Sequence, residues 1–149
     1  MGKRVLLPVD KSSHAHRACD LALELFPDAT FVLLHVVDPA EASFSAETAV
    51  PNIPDGWYEK QKDRAEKHFG EIGERATEAG IETERRIEVG KPAQTIADTI
   101  EEADIDHIVM GSHGRQGVSR LLLGSVAETV VRRSPVPVTV TRTREGEAD

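Results

Sequence analysis

Cysteine is almost missing from this chain: Cys19 is the only one among 149 residues. A single thiol closes no internal disulfide, which fits a reducing compartment and makes a cytoplasmic protein the expectation. Long apolar runs are missing too. No stretch approaches the roughly 18 to 20 apolar residues of a membrane span, so no membrane partner is expected. The apolar run that follows Met1-Gly2-Lys3-Arg4 stops at Val9, before Asp10. That is too short for a signal-peptide core, and no leader is expected. Basic clusters are absent as well: no run of Lys and Arg exceeds two residues, and the net charge is −8. A nucleic-acid partner is therefore disfavoured, because such binders carry a basic face. Lysine is scarce, with 6 against 12 arginines and 26 acidic residues. Two readings of that balance stay open. One is an ordinary acidic surface, the other a surface adapted to high salt, where screening relieves self-repulsion.

Familiar catalytic and metal signatures are also lacking. There is no Gly-Lys-Ser/Thr of a Walker A loop, no Ser-His-Asp order, no Cys-x2-Cys spacing and no defensible carboxylate dyad. His14 and His16 are two apart near a helix start. They could pair on a metal, but an exposed helical face is the expected reading. His35 falls within an apolar strand and reads as a core or hydrogen-bonded histidine. Cys19 reads as a buried, inert thiol. The charges between Glu59 and Glu78 read as a solvated helix face.

What is present is an alternation of strand and helix in a length that suits one domain, expected to cover residues 1–149. Residues 3–9 form a short apolar run of the doubly buried type. Ser12 or Ser13 can cap the helix that follows, in which Ala18, Leu21, Ala22 and Leu25 repeat at helical spacing. Residues 30–37 are apolar and rich in β-branched side chains, a second strand. Residues 38–55 show no period. A long helix is expected from about Gly56 to Ala79, stopped by Gly80. Residues 81–89 alternate, with Ile81, Thr83, Arg85, Ile87 and Val89 on one face, as in a half-exposed strand near an edge. Pro92 suits the first turn of the next helix. Residues 106–110 read as a strand, 125–133 as a helix and 136–141 as a last strand. Pro135 and Pro137 put that last strand at an edge. Five strands with intervening helices imply an α/β fold with a doubly wound, five-stranded parallel sheet, Rossmann-like in architecture. Ligands bind such sheets beyond the carboxyl ends of the strands, where strand order reverses.

The segment that carries chemistry runs from Val109 to Val126. It leaves an apolar strand, passes Gly111, His113, Gly114 and Arg115, and enters a helix at Gly124-Ser125. Glycines let the backbone turn sharply and approach a ligand. A helix N-terminus presents free N–H groups and a favourable dipole to an anion, and a serine hydroxyl adds a donor. These parts suit a phosphate cradle, and equally a tight loop with a serine cap. His113 reads as a loop residue.

The spacing Gly111-x2-Gly114-x9-Gly124-Ser125 resembles the nucleotide motif of the universal stress protein family, in its ATP-binding branch. The resemblance extends over nearly the whole chain. Val5-Leu6-Leu7-Pro8-Val9-Asp10 resembles the family's first strand and turn, Leu33-Leu34-His35-Val36-Val37 its second strand, and Ser134-Pro135-Val136-Pro137-Val138 its last turn and strand. It implies a fold of the adenine nucleotide alpha hydrolase type, with ATP as ligand, accompanied by Mg2+. It further implies that Pro8, Val9 and Asp10 contact the adenosine, that Val36 meets the adenine through its backbone, and that Met110 packs near the base or ribose. Gly111, Gly114, Gly124, Ser125 and Val126 would hold ribose and phosphates, with Arg115 in reach of a phosphate. A homodimer through the strand Val136–Thr141 is implied as well. The scaffold supports a nucleotide-binding stress-response regulator. It also supports an enzyme, such as an ATPase or an adenylyl-transferring protein. Asp10 is the only acidic candidate near the site, which favours binding with slow or no hydrolysis.

Overall fold

The computed structural model describes residues 2–10, 14–41, 55–112 and 123–142. Five strands and four α-helices alternate along them: β1 (Arg4–Pro8), α1 (His14–Leu25), β2 (Thr30–Val37), α2 (Trp57–Glu78), β3 (Glu82–Val89), α3 (Pro92–Glu102), β4 (His107–Gly111), α4 (Ser125–Arg133) and β5 (Val138–Thr141). A single 3-10 turn, Pro39–Glu41, follows β2. All strand pairs are parallel and the spatial order is β3-β2-β1-β4-β5. The chain winds outward from β1 to β3, then crosses to the far side to add β4 and β5. This is the doubly wound α/β architecture expected from the alternation.

Side chains of a strand point alternately to opposite faces, so a strand buried on both sides feeds two cores. Val5, Leu7, Phe31, Leu33 and Val109 face α1 and α2, where they pack with Ala18, Ala22, Phe69 and Ile72. Leu6, Val32, Leu34, Ile108 and Met110 face α3 and α4, where they meet Ile96, Ile100, Ala127 and Val130. The near-continuous apolar runs of β1 and β2 follow from this double demand.

The edge strands are built differently. In β3 no residue is fully buried, Thr83, Arg86, Ile87 and Glu88 being half-buried, and ion pairs supplement the few apolar contacts. Arg85 reaches Glu66 of α2 at 3.3 Å, while Arg86 reaches Glu102 of α3 at 3.1 Å. The periodic face read for 81–89 is therefore uneven: Ile81 is buried, but Val89 is 56% exposed. β5 begins at Val138 rather than Val136. Pro137 has no N–H to give, and it joins the ladder only through its carbonyl, which accepts from the Ile108 N–H at 3.0 Å;.

Two helices end in the same hydrogen-bonded device. At the end of α2, the Ile81 N–H donates to the Ala76 carbonyl at 2.8 Å and the Gly80 N–H to the Thr77 carbonyl at 2.9 Å. Gly80 has φ 78°, a left-handed conformation that glycine adopts without strain;. At the end of α3, Asp104 takes that place with φ 53°, and the Ile105 N–H donates to the Ile100 carbonyl at 3.0 Å.

Arg4 ties three elements together where β1 starts. Its Nε donates to the Ala103 carbonyl at 2.7 Å, and its two Nη atoms donate to both carboxylate oxygens of Glu84 at 2.7 and 3.0 Å. Its backbone N–H donates to Asp106 at 2.8 Å. The bidentate bond holds the Glu84 carboxyl below its ordinary value of 4.5 and raises Arg4. Because Glu84 is 51% exposed at its side chain, solvent screens the pair. A double-mutant cycle with Arg4→Ala and Glu84→Ala is expected to give a coupling of about 0.5–1 kcal/mol near neutral pH. The folded-state pKa of Glu84 is the lowered one. The contribution is therefore complete above 4.5 and is lost as pH falls through the folded value. A coupling that persists unchanged in acid would contradict this account. Cys19 is fully buried, and burial pushes its thiol up to about 11. Native protein is expected to resist a thiol-specific reagent until denaturant is added, and rapid labelling without denaturant would disprove the assignment.

Candidate functional site

The carboxyl ends of all five parallel strands lie along one edge of the sheet. The order reverses between β1 and β4, the two strands from which the chain leaves in opposite directions. There the helices that follow them, α1 and α4, lie on opposite faces. Such a reversal is where doubly wound sheets bind ligands.

The end of β1 is held firmly. Pro8 is the last strand residue, half-buried and in register with Leu34. Val9 is buried, and its N–H donates to the Leu34 carbonyl at 2.7 Å. The Val9 carbonyl meets Nδ1 of His35 at 2.8 Å. A carbonyl only accepts, so Nδ1 carries the proton and His35 is the donor. His35 is buried at 7% exposure, as a hydrogen-bonded core histidine should be. Two bonds, one to each main-chain polar group of Val9, thus fix the point at which Asp10 leaves the sheet, half-buried. Val36 lies in β2 and is half-buried against the α3/α4 core.

The end of β4 is held as firmly. Met110 is buried and pairs with Val140; Gly111 is the final strand residue and pairs with Thr141. The pairings Val5 with His107 and Leu6 with Ile108 carry a constant offset. The same offset brings Val9 and Asp10 level with Gly111 and Ser112. Ser112 is 2% exposed, and its N–H donates to the Thr141 carbonyl at 2.9 Å. Its carbonyl accepts from the Gly124 N–H at 2.6 Å. Residues 112 and 124 therefore meet, and α4 starts at the carboxyl end of β4.

At that start Gly124 is the cap residue, with φ −67° and ψ 162°, and no side chain among the described residues caps the helix. Ser125 is the first helical residue, not the cap that the sequence alone allowed. It is exposed, and Val126 is half-buried against the α3/α4 core. The first-turn N–H groups of Ser125, Val126 and Ala127 precede any intrahelical acceptor. The acidic residue of this first turn, Glu128, is paired to Arg132 at 2.9 Å. The result is a helix N-terminus at this edge of the sheet with no side-chain cap among the described residues, an electrostatic arrangement that suits an anion. The sequence-predicted residues Pro8, Val9, Asp10, Met110, Gly111, Gly124, Ser125 and Val126 all lie at this edge of the sheet, with Val36 one residue from the end of β2. Gly114, Arg115 and His113 lie outside the described residues, as do the cap candidates Ser12 and Ser13.

The histidines of α1 need a correction. His16 does not share an exposed face; it is half-buried, and its Nε2 sits 3.2 Å from a carboxylate oxygen of Glu71 on α2. Its ring stands edge-on to His68, with centroids 6.1 Å apart. Burial lowers the His16 pKa, and the nearby charge of Arg75 lowers it further. Packing of α1 on α2 makes this cluster, and spacing within either helix alone gives no sign of it.

Comparison with known proteins agrees with this construction. The Universal stress protein family matches residues 1–142. A putative universal stress protein of Staphylococcus aureus (strain USA300) is 34% identical over 156 aligned positions, covering 99% of this chain and 88% of its own. The solved structure of hypothetical protein MJ0577 superposes with a TM-score of 0.84 at 29% identity, covering 98% of this chain and 99% of its own. A universal stress protein solved in complex with cAMP superposes with a TM-score of 0.67 at 25% identity, covering 96% and 99%. A match to the family over nearly the full length, on the same doubly wound sheet, means that the chain belongs to the universal stress protein family.

Proposed function

We propose that the chain is an adenine-nucleotide-binding regulatory protein of the stress response, one domain that takes up ATP with Mg2+ and turns it over slowly or not at all. The observation that carries this reading is the junction of Ser112 with Gly124, which sets the start of α4 against the end of β4. A relative solved with cAMP lends support from the ligand side.

In this reading each residue has a task set by its position. The N–H groups of the first turn of α4 donate to phosphate oxygens, and the Ser125 hydroxyl adds one donor. Gly124 keeps the backbone bare where those oxygens approach. Asp10, on the peptide fixed by His35, accepts from adenosine hydroxyls, and Pro8 and Val9 line the same wall. Val36 meets the adenine through its backbone, and Met110 and Gly111 flank the sugar. Gly114 and Arg115 take their phosphate roles from family resemblance. Asp10 remains the one acidic candidate beside the phosphates, and a fast hydrolase needs more than that to position water and metal. Binding with little turnover follows. A reducing, cytoplasmic setting matches the single buried thiol.

The test is calorimetric titration with ATP, ADP, AMP and inorganic phosphate in the presence of magnesium, with circular dichroism as the folding control. Ser125→Ala is expected to weaken ATP about tenfold or more, the worth of one hydrogen bond to a charged group. Gly124→Val should nearly abolish binding while the fold survives, and Asp10→Ala should reduce adenosine affinity more than phosphate affinity. The reading fails if the unmutated protein binds no adenine nucleotide, or if Gly124→Val binds as well as the parent. Phosphate release at about one per second or faster would instead favour an enzyme.

We further propose a homodimer through the β5 edge. β5 pairs with β4 on one side only among the described residues, and Val131 of the preceding helix is 44% exposed. An open apolar edge favours pairing with a second copy. Light scattering at micromolar concentration should give at least twice the chain mass of 16.3 kDa. A monomer under those conditions would rule the dimer out.

A further inference from the structure

We propose that His16, His68 and Glu71 form a binding site for one divalent transition-metal ion of zinc's chemistry, held between α1 and α2. The site is separate from the proposed nucleotide site and its test does not depend on that reading. Each of the three residues offers a ligand atom, and these atoms lie within 4.8 Å of one another. The separation of Nε2 of His16 from the Glu71 carboxylate is 3.2 Å. Zinc bonds of about 2.0–2.1 Å in a tetrahedral shell put ligand atoms roughly 3.3 Å apart, so this pair already has the required spacing. The other separations, none above 4.8 Å, exceed that spacing by no more than about 1.5 Å;.

The fold explains how the set arises. His68 and Glu71 are three apart on α2 and therefore share one face. His16 lies in the first turn of α1, on the side that packs against α2. Two imidazoles and one carboxylate make a mixed nitrogen and oxygen set, which suits zinc and its neighbours and not the all-oxygen shells of calcium or magnesium. Three protein ligands leave a position for water. Glu71 is 45% exposed at its side chain and His16 21%, so an ion can enter from solvent.

A second observation points the same way. Nδ1 of His68 is buried and has no hydrogen-bond partner among the described residues. Buried polar atoms in native proteins are nearly always satisfied. Coordination at Nδ1 would meet the deficit directly, and coordination at the other nitrogen would fix the ring and its tautomer. The nearby cation, Arg75, is held by Asp20 at 2.9 Å, which offsets its repulsion of an incoming ion.

The experiment uses the untagged full-length chain, free of nucleotide and magnesium, titrated calorimetrically with zinc chloride. One equivalent is expected to bind, and cobalt(II) at the same site should give the d–d absorption of a low-coordinate complex. A free zinc concentration of about a hundred times Kd should raise the melting temperature on the order of 5 °C. His16→Gln, His68→Gln and Glu71→Gln should each weaken zinc at least tenfold and remove the thermal shift. Glu71 is exposed enough that its replacement leaves the fold intact, so Glu71→Gln decides the matter if a histidine variant fails to fold. Absence of zinc binding by the parent overturns the proposal. So does a Glu71→Gln variant that binds zinc as tightly as the parent, which would place the ion on other surface groups.

Discussion

Everything in this molecule depends on the burial of β1 at the point where the sheet changes its direction of winding. β1 is paired on both sides, to β2 and to β4, and covered on both faces. A backbone with no access to water must satisfy every N–H and C=O within the protein. That requirement fixes β2 and β4 in register and forces one crossover to each face. The candidate site at the carboxyl end is the geometric consequence. The helices that would fill the space above β1 and β4 have departed to opposite sides.

Rigidity near that site comes from short polar bonds at the strand ends, in addition to the apolar core. His35 and Leu34 clamp the Val9 peptide, while Thr141 and Gly124 clamp Ser112. Each clamp is buried, where an unmade hydrogen bond is expensive. The residues that leave the sheet at these two points therefore start from fixed positions, the preorganisation that a binding site needs. At the opposite end of the sheet, Arg4 does the equivalent work with charge. It gathers Glu84, the Ala103 carbonyl and Asp106 at the start of β1. The edge strand β3 uses the same currency on both faces through Arg85 and Arg86, which suits a strand with one open side.

The fold was largely legible in the sequence because its signals are local and periodic. The apolar runs at Val5-Leu6-Leu7 and Phe31-Val32-Leu33-Leu34, short and rich in β-branched or aromatic residues, suit a strand covered on two faces. Gly80, Pro92 and Ser134-Pro135 mark ends that the structure keeps within a residue or two. Misreadings occurred where context overrides pattern. Val136 has the composition of a strand residue, but Pro137 beside it delays pairing until Val138. The helix read over 125–133 opens at Ser125 as expected, but Gly124, whose N–H goes to the Ser112 carbonyl, is its cap in place of the serine. The gathering of Pro8, Val9, Asp10, Met110 and Gly111 at one edge of the sheet followed from the same logic, since the ends of adjacent parallel strands lie side by side.

The His16 cluster shows where that logic stops. A ligand set built across two helices has no spacing of its own in sequence. Histidine and glutamate three apart, as at His68 and Glu71, occur on any charged helix face and signify nothing alone. His16 acquires meaning only once α1 is laid beside α2, and that contact is decided by residues with no part in the cluster. Ala15, Ala18, Cys19 and Ala22 on α1, and Ala65, Phe69, Ile72 and Ala76 on α2, bury against the same face of the sheet. The small side chains of α1 let it sit close to the strands, and the two bulky residues of α2 fill the space beside it. His16 and His68 each follow directly after or before one of these buried positions, Ala15 and Phe69, so they lie at the seam rather than in the core or on the open surface. Apolar packing thereby fixes the separation of polar groups it does not include, and half-burial in that seam leaves Nδ1 of His68 without a partner among the described residues.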